Sequence, residues 1–150
     1  MNDFLLFFAE LSAVGLIGSV IVHSLGLLGR KPPLGYFTFI FQFGAVAAAF
    51  AACLALLILL STNGEGFWKS ALKSAPRWMK WTTCFFAGYA VLNLITFLNH
   101  FGHREGMLPD AVMALVFRGI SGEWMAFYSA SFLVFYSAIR ARKRTPFQHS

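Results

Sequence analysis

Charge is what this chain has least of. Only six of its 150 residues are Asp or Glu, and charged residues of both signs make up 12%. A water-soluble domain carries about 25%, because water must wet its surface. So little polar surface excludes a soluble monomer. Cysteine is scarce too: Cys53 and Cys84 stand alone, far from any CxxC spacing. That rules out a disulfide framework, and each is expected as a small helix-packing residue. The chain also lacks G-x-S-x-G, a phosphate-cradling Gly-rich loop, a dinucleotide fingerprint and HExxH. The chemistries that depend on those arrangements have no anchor here.

What is abundant is hydrocarbon. Hydrophobic residues reach 58%, with 18 Phe, and the mean hydropathy is +0.66. They gather in four stretches, at about residues 4–28, 34–60, 81–101 and 120–139. A helix rises about 1.5 Å per residue, so about 20 residues cross the ~30 Å hydrocarbon layer. The expectation is an all-α, transmembrane four-helix bundle forming a single integral membrane domain over residues 1–150. Trp78, Trp81 and Trp124 lie near span boundaries and read as headgroup-level anchors.

The net charge of +6 does not point to nucleic acid, because the bases bracket the spans. Arg30 and Lys31 lie in the first loop, and Arg104 and Arg118 in the third. Opposite them stand Lys69, Lys73, Arg77 and Lys80 in the second loop, with Arg140, Arg142, Lys143 and Arg144 in the tail. The positive-inside rule then sets both termini in the cytoplasm, as in a bacterial inner membrane. Met1-Asn2-Asp3 is acidic where a signal peptide is basic, so the first span is expected to stay as a helix.

The loops carry local signals of their own. Pro32 and Pro33 stop the first helix, so spans one and two are antiparallel neighbours. Phe67, Trp68, Ala71 and Leu72 recur at helical spacing opposite Lys69 and Lys73. This suggests a short amphipathic surface helix in the second loop. Residues 111–117 predict another short surface or re-entrant helix in the third loop, ended by Arg118-Gly119. Ser121 is then the expected N-cap of span four, with Glu123 in its first turn.

Association of spans in lipid rests on close backbone approach. Gly44, Ala48 and Ala52 form one ridge with Ala47, Ala51 and Ala55 beside it; Gly122, Ala126 and Ala130 form another. Ser12, Gly15, Gly18 and Ser19 cluster on span one.

Polar groups inside such spans face other helices or water. Tyr89, Asn93, Thr96, His100 and His103 follow at intervals of 4, 3, 4 and 3, one face of span three. Ser12, Ser19 and His23 share a face of span one. His23, His100, His103 and Glu123 converge at the outer mouth of the predicted topology. Imidazole and carboxylate suit a zinc, copper or iron ion, and inward-facing His suits haem. Boundary residues of the same types occur without any such role. Gln42 and Asn93 are expected to form interhelical hydrogen bonds, and Glu10 to snorkel to the interface.

Gly122-Glu123-Trp124-Met125-Ala126-Phe127-Tyr128 resembles a segment of small four-span inner-membrane proteins common in bacteria. That resemblance implies the fold and no activity. Four-span oxidoreductases with a CxxC pair are excluded by the cysteines, and the Arg-rich signature of microsomal glutathione transferases is missing. Two functional expectations stand, with enzymatic activity open. The first is an accessory or structural membrane subunit, or a small oligomer, whose partners are the lipid bilayer and another membrane protein or itself. The second is a metal- or haem-binding bundle with a redox use, built on His23, His100, His103 and Glu123. A reporter fused after Ser150 should be active only inside the cytoplasm; activity only outside would overturn the threading.

Overall fold

The structure is a computed structural model, and it describes residues 2–63, 75–102, 106 and 108–144. Among these residues there are four long α-helices and no strand. They are α1 (Asn2–Leu27), α2 (Ile40–Asn63), α3 (Arg77–Phe101) and α4 (Pro109–Arg144), with a 3₁₀ turn at Gly35–Phe39 leading into α2. The amphipathic helix expected around residues 67–72 lies outside the described residues.

Chain stops explain most boundaries. After α1, Gly29 adopts φ +66°, and the Arg30 and Gly29 N–H groups donate to the Leu25 and Gly26 carbonyls at 2.9 and 3.1 Å. This is a Schellman cap, which needs a left-handed residue that glycine supplies without strain. Pro76 stands directly before α3 and cannot join a preceding helical ladder.

The third loop is where structure and expectation part. Residues 111–117 are not a separate surface helix; they are the first turns of α4, which runs unbroken for 36 residues, about 54 Å. Arg118-Gly119 does not end it. A helical glycine is unfavourable by only about 1 kcal/mol, and here the bare Cα is required by packing. A Cβ on Gly119 would come within 2.5 Å of the Phe97 ring. Ser121 is therefore not an N-cap, and Glu123 sits in the helix interior rather than in a first turn. Pro109 opens the helix instead, where its missing N–H is harmless.

Packing directions follow from side-chain clusters. Leu5 and Ala9 of α1 meet Val134, Phe135 and Ala138 of α4, whereas Gly26 meets Arg118. The two helices are antiparallel. Ala45 and Ala48 of α2 pack with Phe117, Trp124 and Tyr128, and Ala51–Leu56 with the 134–138 end, so α2 runs parallel to α4. Met79 of α3 packs on Leu133 and Phe97 on Gly119, so α3 is antiparallel to α4. The chain thus goes up and down, with α4 as the shared neighbour of the other three.

This arrangement explains a contrast in composition. Three helices are long and apolar enough to cross a bilayer: α1, α2 with its 3₁₀ turn, and α3. Their outer faces expose Phe7, Val14, Ile17, Phe43, Phe50, Phe85 and Leu92. α4 is less apolar because much of it never meets the surroundings. Ser121, Trp124, Tyr128, Ser131 and Phe135 are all buried on it. Trp124 is thus a core residue at 0% exposure, not the expected interfacial anchor. Trp78 and Trp81, by contrast, are exposed on the first turns of α3.

Small residues set the close approaches. Ala48, Ala51, Ala52 and Ala55 are buried as the ridge expectation required, while Ala47 faces outward. Tyr128 lies across Gly15 of α1 and Gly44 of α2, where a Cβ would come within 2.2 and 2.4 Å of its ring or hydroxyl. On α4 the second ridge divides: Gly122 is buried against Asn93, but Ala130 is exposed.

Phe8 stacks on Phe135 at 5.5 Å, and Met79 packs on Leu133. Glu10 and Trp81, each two residues further on, therefore lie at about one level along the bundle. From Glu10 to Leu27 is about 26 Å, and from Trp81 to His100 about 29 Å, both close to the hydrocarbon thickness. Ala48→Leu should destabilise the bundle by about 1–3 kcal/mol through overpacking, read as a lower thermal midpoint in detergent. Val14→Leu, on the exposed face of α1, should leave the midpoint unchanged.

Candidate functional site

The polar groups of the span interiors meet at one place, where α1, α3 and α4 come together. His23 of α1 is 5% exposed. Its Nδ1 lies 3.1 Å from the Arg118 carbonyl and 3.0 Å from Ser121 Oγ; its Nε2 lies 2.5 Å from the Tyr89 hydroxyl of α3. The imidazole and phenol rings meet edge to face at 5.3 Å. Asn93, one turn along α3, donates through Nδ2 to the Arg118 and Gly119 carbonyls at 3.1 and 2.8 Å.

The partners fix the histidine tautomer. The Arg118 carbonyl can only accept, and Ser121 Oγ already donates to the Phe117 carbonyl at 2.5 Å. Nδ1 must therefore carry the proton, leaving the Nε2 lone pair to accept from the Tyr89 hydroxyl. Every ring nitrogen is used. The node is a tie between three helices, with the carbonyls of Arg118 and Gly119 as its common acceptors. Glycine makes this possible: a Cβ on Gly122 would come within 2.4 Å of Asn93 Nδ2.

A second tie joins α4 to α2. The Trp124 indole donates to the Gln42 side-chain oxygen, and the Tyr128 hydroxyl donates to the Phe41 carbonyl at 2.8 Å. Gln42 and Asn93 thus both form the expected interhelical bonds. Near the same end, Lys31 and Asp110 pair at 3.0 Å across exposed surface, joining the first loop to the start of α4. Being exposed, that pair contributes little. Among the described residues, the Thr38 hydroxyl is the one buried side-chain polar atom without a partner.

The residues singled out from the sequence fare differently. Ser12, Ser19 and His23 are all buried along one face of α1. The five-residue stripe of α3 divides: Tyr89 and Asn93 enter the node, while Thr96 and His100 bond carbonyls of their own helix, at Leu92 and Thr96. His100 is exposed, Glu123 is partly exposed two residues beyond Ser121, and His103 lies outside the described residues. Among the described residues no group of three His, Cys, Asp or Glu side chains is placed to hold a metal ion. His23 is instead brought to Tyr89, Ser121 and Asn93. Ser121, expected as an N-cap, takes this interior place instead because α4 continues through Gly119.

No family model, curated protein or solved structure matches the chain. Its function therefore has to be argued from its own residues. The node predicts a measurable coupling between His23 and Tyr89. His23→Leu, Tyr89→Phe and the double variant should give an interaction free energy of roughly 0.6–2 kcal/mol in a double-mutant cycle. Strict additivity would show that the pair does not bond in the folded protein.

Proposed function

We propose that this protein is a four-span integral membrane protein with both termini in the cytoplasm, acting as an accessory or structural subunit or as a small oligomer. The observation that carries this reading is the distribution of polarity. The least apolar helix is the one the other three pack against, and their outer faces are hydrocarbon, the reverse of a protein arranged for water. In such a bundle α4 needs no apolar coat of its own in order to span. Its polar side chains would find partners in α1, α2 and α3.

The buried polar network supports a structural role over a chemical one. His23 would be the natural centre of metal or proton chemistry, yet both its nitrogens hold neighbouring helices. Interhelical hydrogen bonds of this kind contribute about 0.6–2 kcal/mol each and fix which helix faces meet. The broad apolar surfaces of α1, α2 and α3 are suited to lipid and to the helices of a partner.

The test is to purify the protein from membranes in mild detergent and record its visible spectrum and bound-metal content. A colourless, metal-free preparation that keeps its helical fold is the expected result. A stoichiometric metal or a haem band, lost on changing His100 or Glu123 to Ala, would overturn the structural reading and establish a cofactor bundle.

A further inference from the structure

α4 is not covered on every side. At about 100° per residue, the residues that meet α2, among them Trp124 and Phe117, lie nearly opposite those that meet α3, among them Gly122 and Leu133. His23 and Gly15 of α1 meet Ser121 and Tyr128, on the arc between these two. The remaining arc of α4 carries Glu123, Phe127 and Ala130, and it closes further along, where Val134 is buried against α1 and α2. Phe127 is 45% exposed, Ala130 is exposed and Glu123 is partly exposed. No substantial packing joins α2 to α3. α2, α4 and α3 therefore stand side by side with α1 behind, and their open face has α4 at its centre.

Two features of that face are unlike a lipid-facing surface. The first is Glu123, whose carboxyl has no hydrogen bond or ion pair among the described residues. It lies about 15 Å along α4 from Leu133, at mid-depth in the proposed bilayer. A carboxyl left there without a partner is unfavourable, because hydrocarbon offers it neither donor nor acceptor. The second is Ala130, one end of a small-residue row with Ala126, which leaves room for another backbone to approach.

We propose that this open face is the contact between two copies of the chain, α4 against α4, with the two Glu123 carboxyls meeting across the interface. The inference deepens the small-oligomer reading above and rests on the membrane setting argued there. Symmetry supplies the argument for a second copy. Two copies inserted alike share one orientation, so a two-fold axis along the bilayer normal sets each residue at the same depth as its counterpart. A carboxyl is also self-complementary, because two that share a proton supply one donor and the matching acceptor. Phe127 flanks the pair, and Ala126 and Ala130 permit the approach.

The test uses the full chain in lipid vesicles, with Cys53 and Cys84 changed to Ser. Ala130→Cys should form an inter-copy disulfide under mild oxidation, while Val14→Cys, on the outer face of α1, should not. In the cysteine-free chain, single-molecule photobleaching across a dilution series should give a dimer dissociation constant. Glu123→Leu should raise it on the order of tenfold, and Glu123→Gln, which keeps a donor and an acceptor, should recover most of the loss. A membrane-inserted, folded protein that stays monomeric would overturn this proposal while leaving the structural reading intact, and would point to a different partner helix. Equal cross-linking at both positions, or a dissociation constant unchanged in Glu123→Leu, would also overturn it. Loss of the protein from the membrane fraction would defeat the underlying reading instead.

Discussion

Hydrocarbon cannot hydrogen-bond, and the rest of this structure follows from that constraint. Each polar side chain within a span must find a partner in the protein or reach an interface. His23, Tyr89, Asn93 and Ser121 meet one another and the Arg118 and Gly119 carbonyls. Gln42 meets Trp124. Glu10 lies at about the level of Trp81 along the bundle. The same rule ties α4 to its neighbours through Trp124 and Tyr128, while Ser121, Ser129 and Ser137 donate to carbonyls of their own helix. Among the described residues, the Glu123 carboxyl and the Thr38 hydroxyl are left without a partner.

Packing and hydrogen bonding are coupled through small residues. In lipid, apolar contact alone does not favour helix association over helix solvation, so close backbone approach and polar ties must supply it. Gly119 admits the Phe97 ring, Gly122 admits Asn93, and Gly15 and Gly44 admit Tyr128. Each glycine opens a place for a large group, and in three of those four contacts that group also donates a hydrogen bond to another helix. Adding one methyl at these positions would displace a ring or an amide and the polar tie with it.

Much of the fold was legible because its signals are periodic. The three long apolar helices follow from length and composition, and the buried alanines of α2 and buried serines of α1 from helical spacing. The beginning of α4 was not legible. Arg118-Gly119 reads locally as a stop, and only the Phe97 ring against Gly119 shows why the glycine belongs inside a helix. Trp124 was misread for a related reason: tryptophan at the start of a span suggests an anchor, but the true start is Pro109, four turns earlier. The polar node was half legible. His23, Tyr89 and Asn93 stood out as polar residues in apolar runs, yet their convergence on Ser121 and two backbone carbonyls depends on helix register, which no single-chain pattern encodes. His100 shared the periodicity of the stripe but lies far enough along α3 to bond its own helix instead.

The central claim, that the other helices cover the Trp124 side of α4 and present hydrocarbon outward, can be tested with its own tryptophan. A variant keeping Trp124 alone, with the other three changed to Phe, should fluoresce in vesicles with little quenching by brominated acyl chains or by aqueous iodide. A matching variant keeping Trp81 alone should be quenched by lipids brominated near the headgroups. Strong quenching of Trp124 by either agent would place α4 on the outside and contradict the account.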